Sequence, residues 1–541
     1  MLLKIKLFFL FAHLSILGYG QSSRPAKKPY NILWLVAEDM SPHIPSYGDS
    51  TISTPNIDRL AREGIRFTNV TSTAPVCAPS RSSIITGMYQ QTIGTHHMRT
   101  SSASRVVPPQ NQILKDYEAV LPPNVKCFPE YLRAAGYYCT NNDKTDYQFI
   151  APVTTWDESS KNAHWKNRPD GSPFFSVFNF GITHESQVFP NSDAIQHFPM
   201  ICDVTKVKLP PFYPVTETAR KVVAQNYSNI QHMDAQIGRL IKELEDAGEL
   251  DNTIIFFYSD HGSGLPYFKR ELYYRGVHVP LIVRFPKGIQ AGTINNDLVS
   301  FVDFAPTILS LTNIRVPDYM QGRVFLGEHQ GEPRKFNYTA GDRFDEHYDM
   351  QRGVLDKQFN YIRNYHPQKP NYKDVGYRRK NELMLEWLQL DTAGKLNWVQ
   401  QRWFQKSKPV EELYDYLKDP WELNNLANDP AFKEVLQKFR KAHADFEVEA
   451  GDWGLVPEYQ MVQLWWNGTE QPVTRKPSIN KKGNIVAINS TEEGVSIGYK
   501  KHHNDRWKVY QTPVTISPDD SLYIITHRIG YKPSELLKVK F

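Results

Sequence analysis

The sequence predicts an α/β protein in which a mostly parallel sheet is covered by helices, and three observations indicate this. Short continuous apolar runs of strand length, such as Tyr30 to Ala37, are typical of strands buried on both faces. Segments with a single apolar helical stripe alternate with these runs. Polar residues able to bind a metal or a proton follow three of the runs, which is where parallel sheets bind their ligands.

The chain of 541 residues is longer than one hydrophobic core usually supports, so we expect more than one domain. The α/β pattern extends over residues 21–350. A smaller α+β domain is predicted over residues 351–466, where short strands and turns replace the long runs. Residues 467–541 predict a small all-β module, because residues typical of strands alternate with turn signals there. Its segments SIGYKKHHNDRWKVY and RIGYKPS resemble the small β-sandwich appended to some hexosaminidases.

The first strand, Tyr30 to Ala37, is followed at once by the acidic pair Glu38-Asp39. A helix is expected between Thr54, which suits an N-cap and precedes a proline, and Gly64, which should end it. A second helix is predicted at Ser80 to Thr86, with a glycine directly after it.

Further along the chain, Phe174 to Phe180 predicts another buried strand. A long helix with an apolar stripe from Ile230 to Leu244 follows it. The strand predicted at Thr253 to Tyr258 leads into Asp260-His261, and Val279 to Phe285 predicts one more buried strand.

Residues 1–20 predict a cleavable signal peptide, because two lysines precede the apolar run Leu7 to Leu17 and small residues follow it. The mature chain is expected to begin near Gln21, which implies a secreted or periplasmic protein. A membrane anchor is disfavoured, since spanning a bilayer takes about 20 apolar residues. We therefore expect no stable membrane insertion.

The charged and sulfur-containing residues exclude some classes of protein. The formal net charge of +5 is not gathered in runs, which argues against a nucleic-acid partner. Four cysteines are too few for a disulfide framework. Cys127 and Cys139 either pair or remain buried thiols, and the sequence leaves both alternatives open.

The segment Cys77-Ala78-Pro79-Ser80-Arg81 carries the strongest signal in the chain. It matches C-x-P-S-R, and with its continuation SSIITGMYQ it resembles the signature of the type I, formylglycine-dependent sulfatases of the bacterial polysaccharide-degrading kind. An ordinary helix-capping turn would leave further matches unexplained. These are NILWLVAEDM, TPNIDRLAREGIRFTNVTS, YSDHG, KRELYYRGVHVPLIVRFP and ELYDYLKDPWELNNLA.

The resemblance implies an alkaline-phosphatase-like fold and a sulfuric ester hydrolase. In this family a maturation enzyme oxidises the signature cysteine, here Cys77, to formylglycine (3-oxoalanine), whose hydrate offers one hydroxyl to attack sulfur and another to expel sulfate. One Ca²⁺ would be held by Glu38, Asp39, Cys77, Asp260 and His261, although the first acid is usually Asp. A hard cation suits this reaction because it neutralises the charge of an anionic ester.

The resemblance also assigns the catalytic side chains. Arg81 would hold the hydrated aldehyde, and Lys144 and Lys269 would contact the sulfate oxygens. His184, after a buried strand, matches the general acid that protonates the departing sugar oxygen. The family pattern G-K-x-H reads D-K-T-D here, so Asp146 stands in place of the histidine. The group that deprotonates the formylglycine hydroxyl therefore stays open, with Asp146 as one candidate.

Two further segments are candidates for contact with the substrate. His96 and His97 either contact sugar, replace the missing histidine, or form a pair on a surface loop. Arg343, Asp345 and His347 form either a sugar subsite or a solvated turn.

The expected substrate is a sulfated polysaccharide or its oligosaccharides, such as ulvan, carrageenan or a glycosaminoglycan. One alternative is a phosphoryl or phosphonate ester hydrolase of the same fold, which Cys77 within the full signature disfavours. The other is a catalytically weak carbohydrate-binding relative, which retention of Arg81, His184 and Lys269 disfavours.

Overall fold

The computed structural model of the chain describes residues 28–100 and 116–541. The predicted signal peptide lies outside these ranges. Among the helices inside them, none is long and apolar enough to cross a membrane.

A central sheet of eight strands forms the first part of the fold, in the order β4-β3-β5-β1-β6-β7-β2-β8. Only β7 runs against the others, pairing antiparallel with both of its neighbours. The prediction of a mostly parallel sheet is therefore confirmed. Its strands are β1 (Asn31–Ala37), β2 (Ile65–Thr71), β3 (Tyr138–Asn142), β4 (Glu158–Ser159), β5 (Phe174–Phe180), β6 (Thr253–Ser259), β7 (Leu281–Arg284) and β8 (Thr293–Ser300).

Helices accompany this sheet, and large apolar clusters on its two faces bury alternate residues of β1. Leu33 and Leu35 belong to one cluster, while Trp34 and Val36 belong to the other. The helices are α1 (Pro55–Glu63), α2 (Cys77–Thr86), α3 (Gln90–Ile93), α4 (Pro129–Ala134), α5 (Asp193–His197), α6 (Glu217–Asp246), α7 (Tyr274–Val277) and α8 (Phe304–Leu311).

A second, antiparallel sheet follows in the order β12-β11-β10-β9. Its first strand begins at Asn337, before residue 351. The domain boundary predicted at residue 351 stays a prediction. The strands are β9 (Asn337–Gly341), β10 (Gln351–Leu355), β11 (Phe359–Asn364) and β12 (Glu411–Asp415). The helices are α9 (Glu382–Thr392), α10 (Trp398–Gln401), α11 (Lys433–Ala450) and α12 (Glu458–Trp466).

The C-terminal segment forms two small antiparallel sheets, β13-β14-β17 and β16-β15-β18-β19, which share one apolar core. Lys126 and the ion pair of Arg506 with Glu158 at 2.8 Å hold it against the first part of the chain. The strands are β13 (Ser478–Lys482), β14 (Ile485–Asn489), β15 (Ser496–Lys500), β16 (Lys508–Val509), β17 (Val514–Thr515), β18 (Ser521–His527) and β19 (Leu537–Lys540).

Helix α1 ends at Gly64 as predicted, but the reason for glycine there is a close approach between backbones. Gly64 has an extended conformation with φ of −134°. A Cβ at this position would lie 2.5 Å from the carbonyl oxygen of Val283 in β7. The turn therefore needs glycine because α1 and β2 press against the backbone of β7.

We predict that Gly64→Ala lowers the free energy of unfolding by about 2 kcal/mol, because the added methyl group must displace β7. Gly331→Ala is the matched control, since its Cβ would meet ordinary contact distances. Urea unfolding of the two variants measures the difference. Equal stability of both would contradict this account of the turn.

Candidate active site

The predicted metal and nucleophile residues meet at one edge of the central sheet. Glu38 and Asp39 directly follow β1, and Asp260 and His261 directly follow β6, its neighbour. Cys77 is the first residue of α2. Ligand atoms of Asp39, Cys77, Asp260 and His261 all lie within 4.8 Å of one another.

Cys77 is wholly buried in the centre of this cluster. Its Sγ lies 3.3 Å from His261 Nε2, 3.6 Å from Lys269 Nζ and 3.8 Å from Asp39 Oδ1. Burial raises the pKa of the Cys77 thiol well above its usual value, although Lys269 opposes the change. The unmodified side chain is therefore a neutral thiol, which is a poor nucleophile.

Asp39 is compensated by three groups from separate parts of the chain. Lys269 donates to its Oδ2 at 2.7 Å, and the backbone N–H of Glu185 donates to the same oxygen at 2.7 Å. His261 Nε2 lies 3.0 Å from Oδ1. Burial alone would raise the pKa of Asp39, but Lys269, His184 and His261 hold it well below its usual value. The carboxylate is therefore ionised and available as a metal ligand.

Arg81 is positioned by two acceptors and retains a free donor. Its Nε donates to Asp260 at 3.0 Å, and its Nη1 donates to Asn179 at 2.7 Å. Its Nη2 is buried and has no hydrogen-bond partner in the described part of the chain. Because an unpaired buried donor is costly, this atom points to a bound anion or to an oxygen on a modified residue 77.

Lys144 and Asp146 belong to a charged group on the other side of the site. The ammonium of Lys144 contacts Glu38 and lies 3.9 Å from Asp146 Oδ2. Arg99 Nη1 lies 3.3 Å from both oxygens of Asp146. Burial raises the pKa of Asp146, but Lys144 and Arg99 more than offset it, so the carboxylate is ionised.

The donor set fits a divalent cation. Asp39 and Asp260 supply carboxylate oxygens, as hard cations require. His261 Nδ1 donates to the carbonyl oxygen of Gly262 at 2.9 Å, so Nε2, which faces Asp39 and Cys77, is the ring nitrogen that would bind a metal ion on giving up its proton.

His184 follows β5 and is held by its own turn. The backbone N–H of Ser186 donates to Nδ1 at 3.3 Å, so the proton of the neutral ring is on Nε2. That atom lies 4.0 Å from Asp39 Oδ2. Burial lowers the pKa of His184 to about 4, with Asp39 opposing, and the neutral ring therefore presents an N–H toward the site.

Three of the five candidate substrate residues, His96, His97 and Arg343, are almost wholly buried. His96 and His97 are 1% and 2% exposed, so the surface-loop alternative is wrong. Arg343 is 1% exposed and its guanidinium donates to both oxygens of Glu458, at 2.6 and 2.8 Å. Arg343 is therefore not part of a solvated turn. Its buried charge is compensated by the carboxylate of Glu458.

Asp345 accepts a hydrogen bond from Arg270 at 3.0 Å. His347 is half-buried, and burial lowers its pKa to about 4. Contact of sugar with any of these residues stays a prediction.

Sequence reasoning missed the residues that orient the predicted ones. Glu185 lies 3.1 Å from Lys269 and receives two hydrogen bonds of 2.9 Å from Arg270. Asn179 orients Arg81, and Arg99 holds Asp146. Glu185 and Arg270 are the immediate chain neighbours of predicted residues, and that adjacency is the only sequence signal that could have found them.

This fold and site define a sulfatase, and sequence comparison agrees. The profile of the sulfatase family matches residues 30–314. The profile named N-sulphoglucosamine sulphohydrolase, C-terminal, matches residues 262–376. The chain therefore belongs to the sulfatase family, as its signature segment predicts.

Among individual proteins, the chain is similar to an ulvan-active sulfatase of Formosa agariphila. The two are 43% identical over 566 residues, covering 97% of this chain and 94% of that protein. The solved structure of BT4656 in complex with its substrate, D-glucosamine-2-N,6-O-disulfate, has a TM-score of 0.55 to this chain at 19% identity. The match covers 78% of this chain and 98% of that chain. A phosphonate monoester hydrolase from Silicibacter pomeroyi has a TM-score of 0.55 at 16% identity, covering 79% of this chain and 97% of that chain. At these low identities, the two structural similarities show a shared fold and nothing further.

Proposed function

We propose that this sulfatase removes sulfate from a sulfated polysaccharide or its oligosaccharides, with residue 77 as formylglycine and one Ca²⁺ in the site. The observation that carries the proposal is the convergence of Cys77 with Asp39, Asp260 and His261 at the carboxyl edge of the sheet. The similarity to an ulvan-active sulfatase over nearly the whole chain favours ulvan. A glycosaminoglycan is the second candidate, because the profile matching residues 262–376 is named for a sulphohydrolase of N-sulphoglucosamine.

Glu38, Asp39, Asp260 and His261 would hold the calcium ion together with residue 77. When bound, calcium supplies Lewis-acid charge neutralisation, and formylglycine supplies a hydrated aldehyde as the attacking oxygen. Lys269 and Lys144 neutralise the sulfate oxygens, since the ammonium of Lys269 lies 3.6 Å from Cys77 Sγ and that of Lys144 contacts Glu38 beside the cluster. Arg81 binds the hydrated formylglycine through its free Nη2. Its hydrogen bonds to Asp260 and Asn179 keep the guanidinium in this orientation.

His184 acts as the general acid once it is protonated. Its Nε2 faces the site, and Ser186 fixes the ring through Nδ1. An anionic sulfate ester bound beside the ring would favour the imidazolium form. That form would give its Nε2 proton to the sugar oxygen as the bond to sulfur breaks, so that the sugar leaves as a neutral alcohol and the ring returns to its neutral form.

The chain is proposed to be secreted or periplasmic after removal of residues 1–20. Its partners would be the sulfated carbohydrate and a formylglycine-generating maturation enzyme. Because Cys77 is fully buried after folding, that enzyme would act on the unfolded segment.

We predict that the wild-type protein releases free sulfate from ulvan and that Cys77→Ala loses more than about a thousandfold of this activity, since the attacking oxygen is gone. Cys202→Ala is the control, because Cys202 lies outside the site and should keep full activity. Mass spectrometry of the active protein should show formylglycine at residue 77.

The same assay should include glycosaminoglycans and a phosphonate monoester. Faster turnover of the phosphonate than of every sulfate ester would favour the phosphonate hydrolase alternative. Full activity of Cys77→Ala would contradict the proposed nucleophile.

We predict that chelation abolishes turnover and that Ca²⁺ restores it, because Asp39 and Asp260 would otherwise repel an anionic ester. Calcium at a hundred times its Kd should also add about 2.7 kcal/mol to the free energy of unfolding. Thermal unfolding with and without calcium measures this separately from activity. Undiminished turnover in a thoroughly metal-free preparation would exclude the site.

We predict that Asp146→Asn slows sulfate release more than sugar release, because Asp146 would accept the proton that sulfate release requires. The expected signature is a burst of sugar followed by a steady rate at least about tenfold slower. His96→Ala and His97→Ala are parallel variants, since either ring could replace the family histidine. Wild-type progress curves for all three variants would exclude them as the base.

A further inference from the structure

The positive charge of the chain is concentrated in the C-terminal module. Residues 467–541 contain twelve Lys and Arg against seven Asp and Glu. Their excess of five equals the formal net charge of +5 of the whole chain, so the remaining residues are balanced. The module therefore creates a positive field of its own.

Part of this charge lies in an ordered row on one sheet face. Lys500 of β15 pairs with Tyr523 of β18, and Tyr523 pairs with Lys538 of β19. Paired residues of antiparallel strands project from the same face, so the three side chains stand side by side. Lys540, two residues after Lys538, projects from that face as well.

Aromatic rings alternate with these ammonium groups. Lys500 Nζ lies 4.9 Å from the ring centre of Trp507 and 5.9 Å from that of Tyr523. Lys538 Nζ lies 5.3 Å from the ring centre of Tyr523 on its other side. Trp507 and Tyr523 are half-buried, and Lys538 and Lys540 are exposed.

The lysines of this row lack acidic partners. In the described part of the chain, Lys500, Lys538 and Lys540 form no ion pair with a carboxylate, whereas the neighbouring Lys501 lies 3.0 Å from Asp520. Lys500 Nζ donates to the carbonyl oxygen of His503, which does not neutralise its charge. Lysines without a carboxylate partner beside half-buried rings offer charge for an anion and a flat apolar surface for a ring.

We infer that Trp507, Lys500, Tyr523, Lys538 and Lys540 form a second binding site for a sulfated polysaccharide, separate from the catalytic site. The lysines would bind sulfate groups, and the rings would contact the apolar faces of the sugars. Lys500 and Lys538 are separated by two strand spacings, or about 10 Å, which is comparable with the length of a disaccharide. This inference rests on the proposed substrate class, and it adds that the polymer is held away from the site of cleavage.

Holding the polymer on the module would raise the local concentration of sulfate esters for the catalytic site. A short oligosaccharide cannot occupy both sites, so it would gain nothing from the module. A comparison of polymeric ulvan with a short oligosaccharide as substrates therefore distinguishes the contribution of the module from that of the catalytic site.

The test is the double variant Lys500→Glu/Lys538→Glu in the full-length protein. Gel electrophoresis through immobilised ulvan, with desulfated ulvan as a second gel, measures binding. We expect the double variant to bind about tenfold more weakly than wild type, since two attractive contacts between lysine and sulfate become repulsive contacts between glutamate and sulfate. Its KM for polymeric ulvan should rise by a similar factor, and its kcat for a short sulfated oligosaccharide should not change.

The matched control is Lys482→Glu/Lys532→Glu, which makes the same change of charge at exposed positions outside the row. It should bind like wild type, and Tyr523→Ala should weaken binding with no change of charge. Equal retardation of wild type and Lys500→Glu/Lys538→Glu would overturn the inference, as would no retardation of wild type by ulvan. A wild-type protein that releases no sulfate from any glycan would instead contradict the proposed function, whether or not ulvan retards the protein in the gel.

Discussion

The structure depends on compensating a carboxylate that is buried at the end of β1. Asp39 is 1% exposed, and burial of an unpaired charge would cost several kcal/mol. Its partners come from distant segments: Lys269, His261 and the backbone N–H of Glu185. Glu185 comes after β5, and His261 and Lys269 come after β6, so the pairing of both strands with β1 brings all three groups to Asp39. The charge therefore requires the same strand arrangement that catalysis uses.

From Asp39 a chain of alternating charges extends out of the site. Lys269 contacts Glu185, which binds Arg270, and Arg270 binds Asp345 in the loop after β9. Every member is held by a neighbour of opposite sign. Because Lys269, Glu185 and Arg270 are each held by two neighbours of opposite sign, the donors that face the substrate lose little freedom when it binds.

The same fold is shared with a phosphonate monoester hydrolase, so the sheet does not determine which ester is cleaved. The distinction arises from side chains placed on that frame. Here Cys77 occupies the first turn of α2, and the free Nη2 of Arg81 lies beside a cluster of metal ligands. These local features relate the site to sulfate chemistry, while the surface beyond them decides which sugar fits.

Local features of this protein could be predicted from its sequence because a local pattern carries them. The apolar run of β1, the acidic pair behind it and the signature segment at Cys77 each lie within a few neighbouring residues. Strand-end acids could be placed together because parallel strands bring their carboxyl ends to one edge.

Only the tertiary structure decided which charges compensate each other, because such pairs leave no periodic trace in the chain. Asp39 and Lys269 lie 230 residues apart, and Arg343 and Glu458 lie 115 apart. The direction of β7 was likewise hidden, since a strand buried on both faces has the same composition whichever way it runs. Burial without a partner is prohibitively costly, so the fold as a whole had to supply these partners.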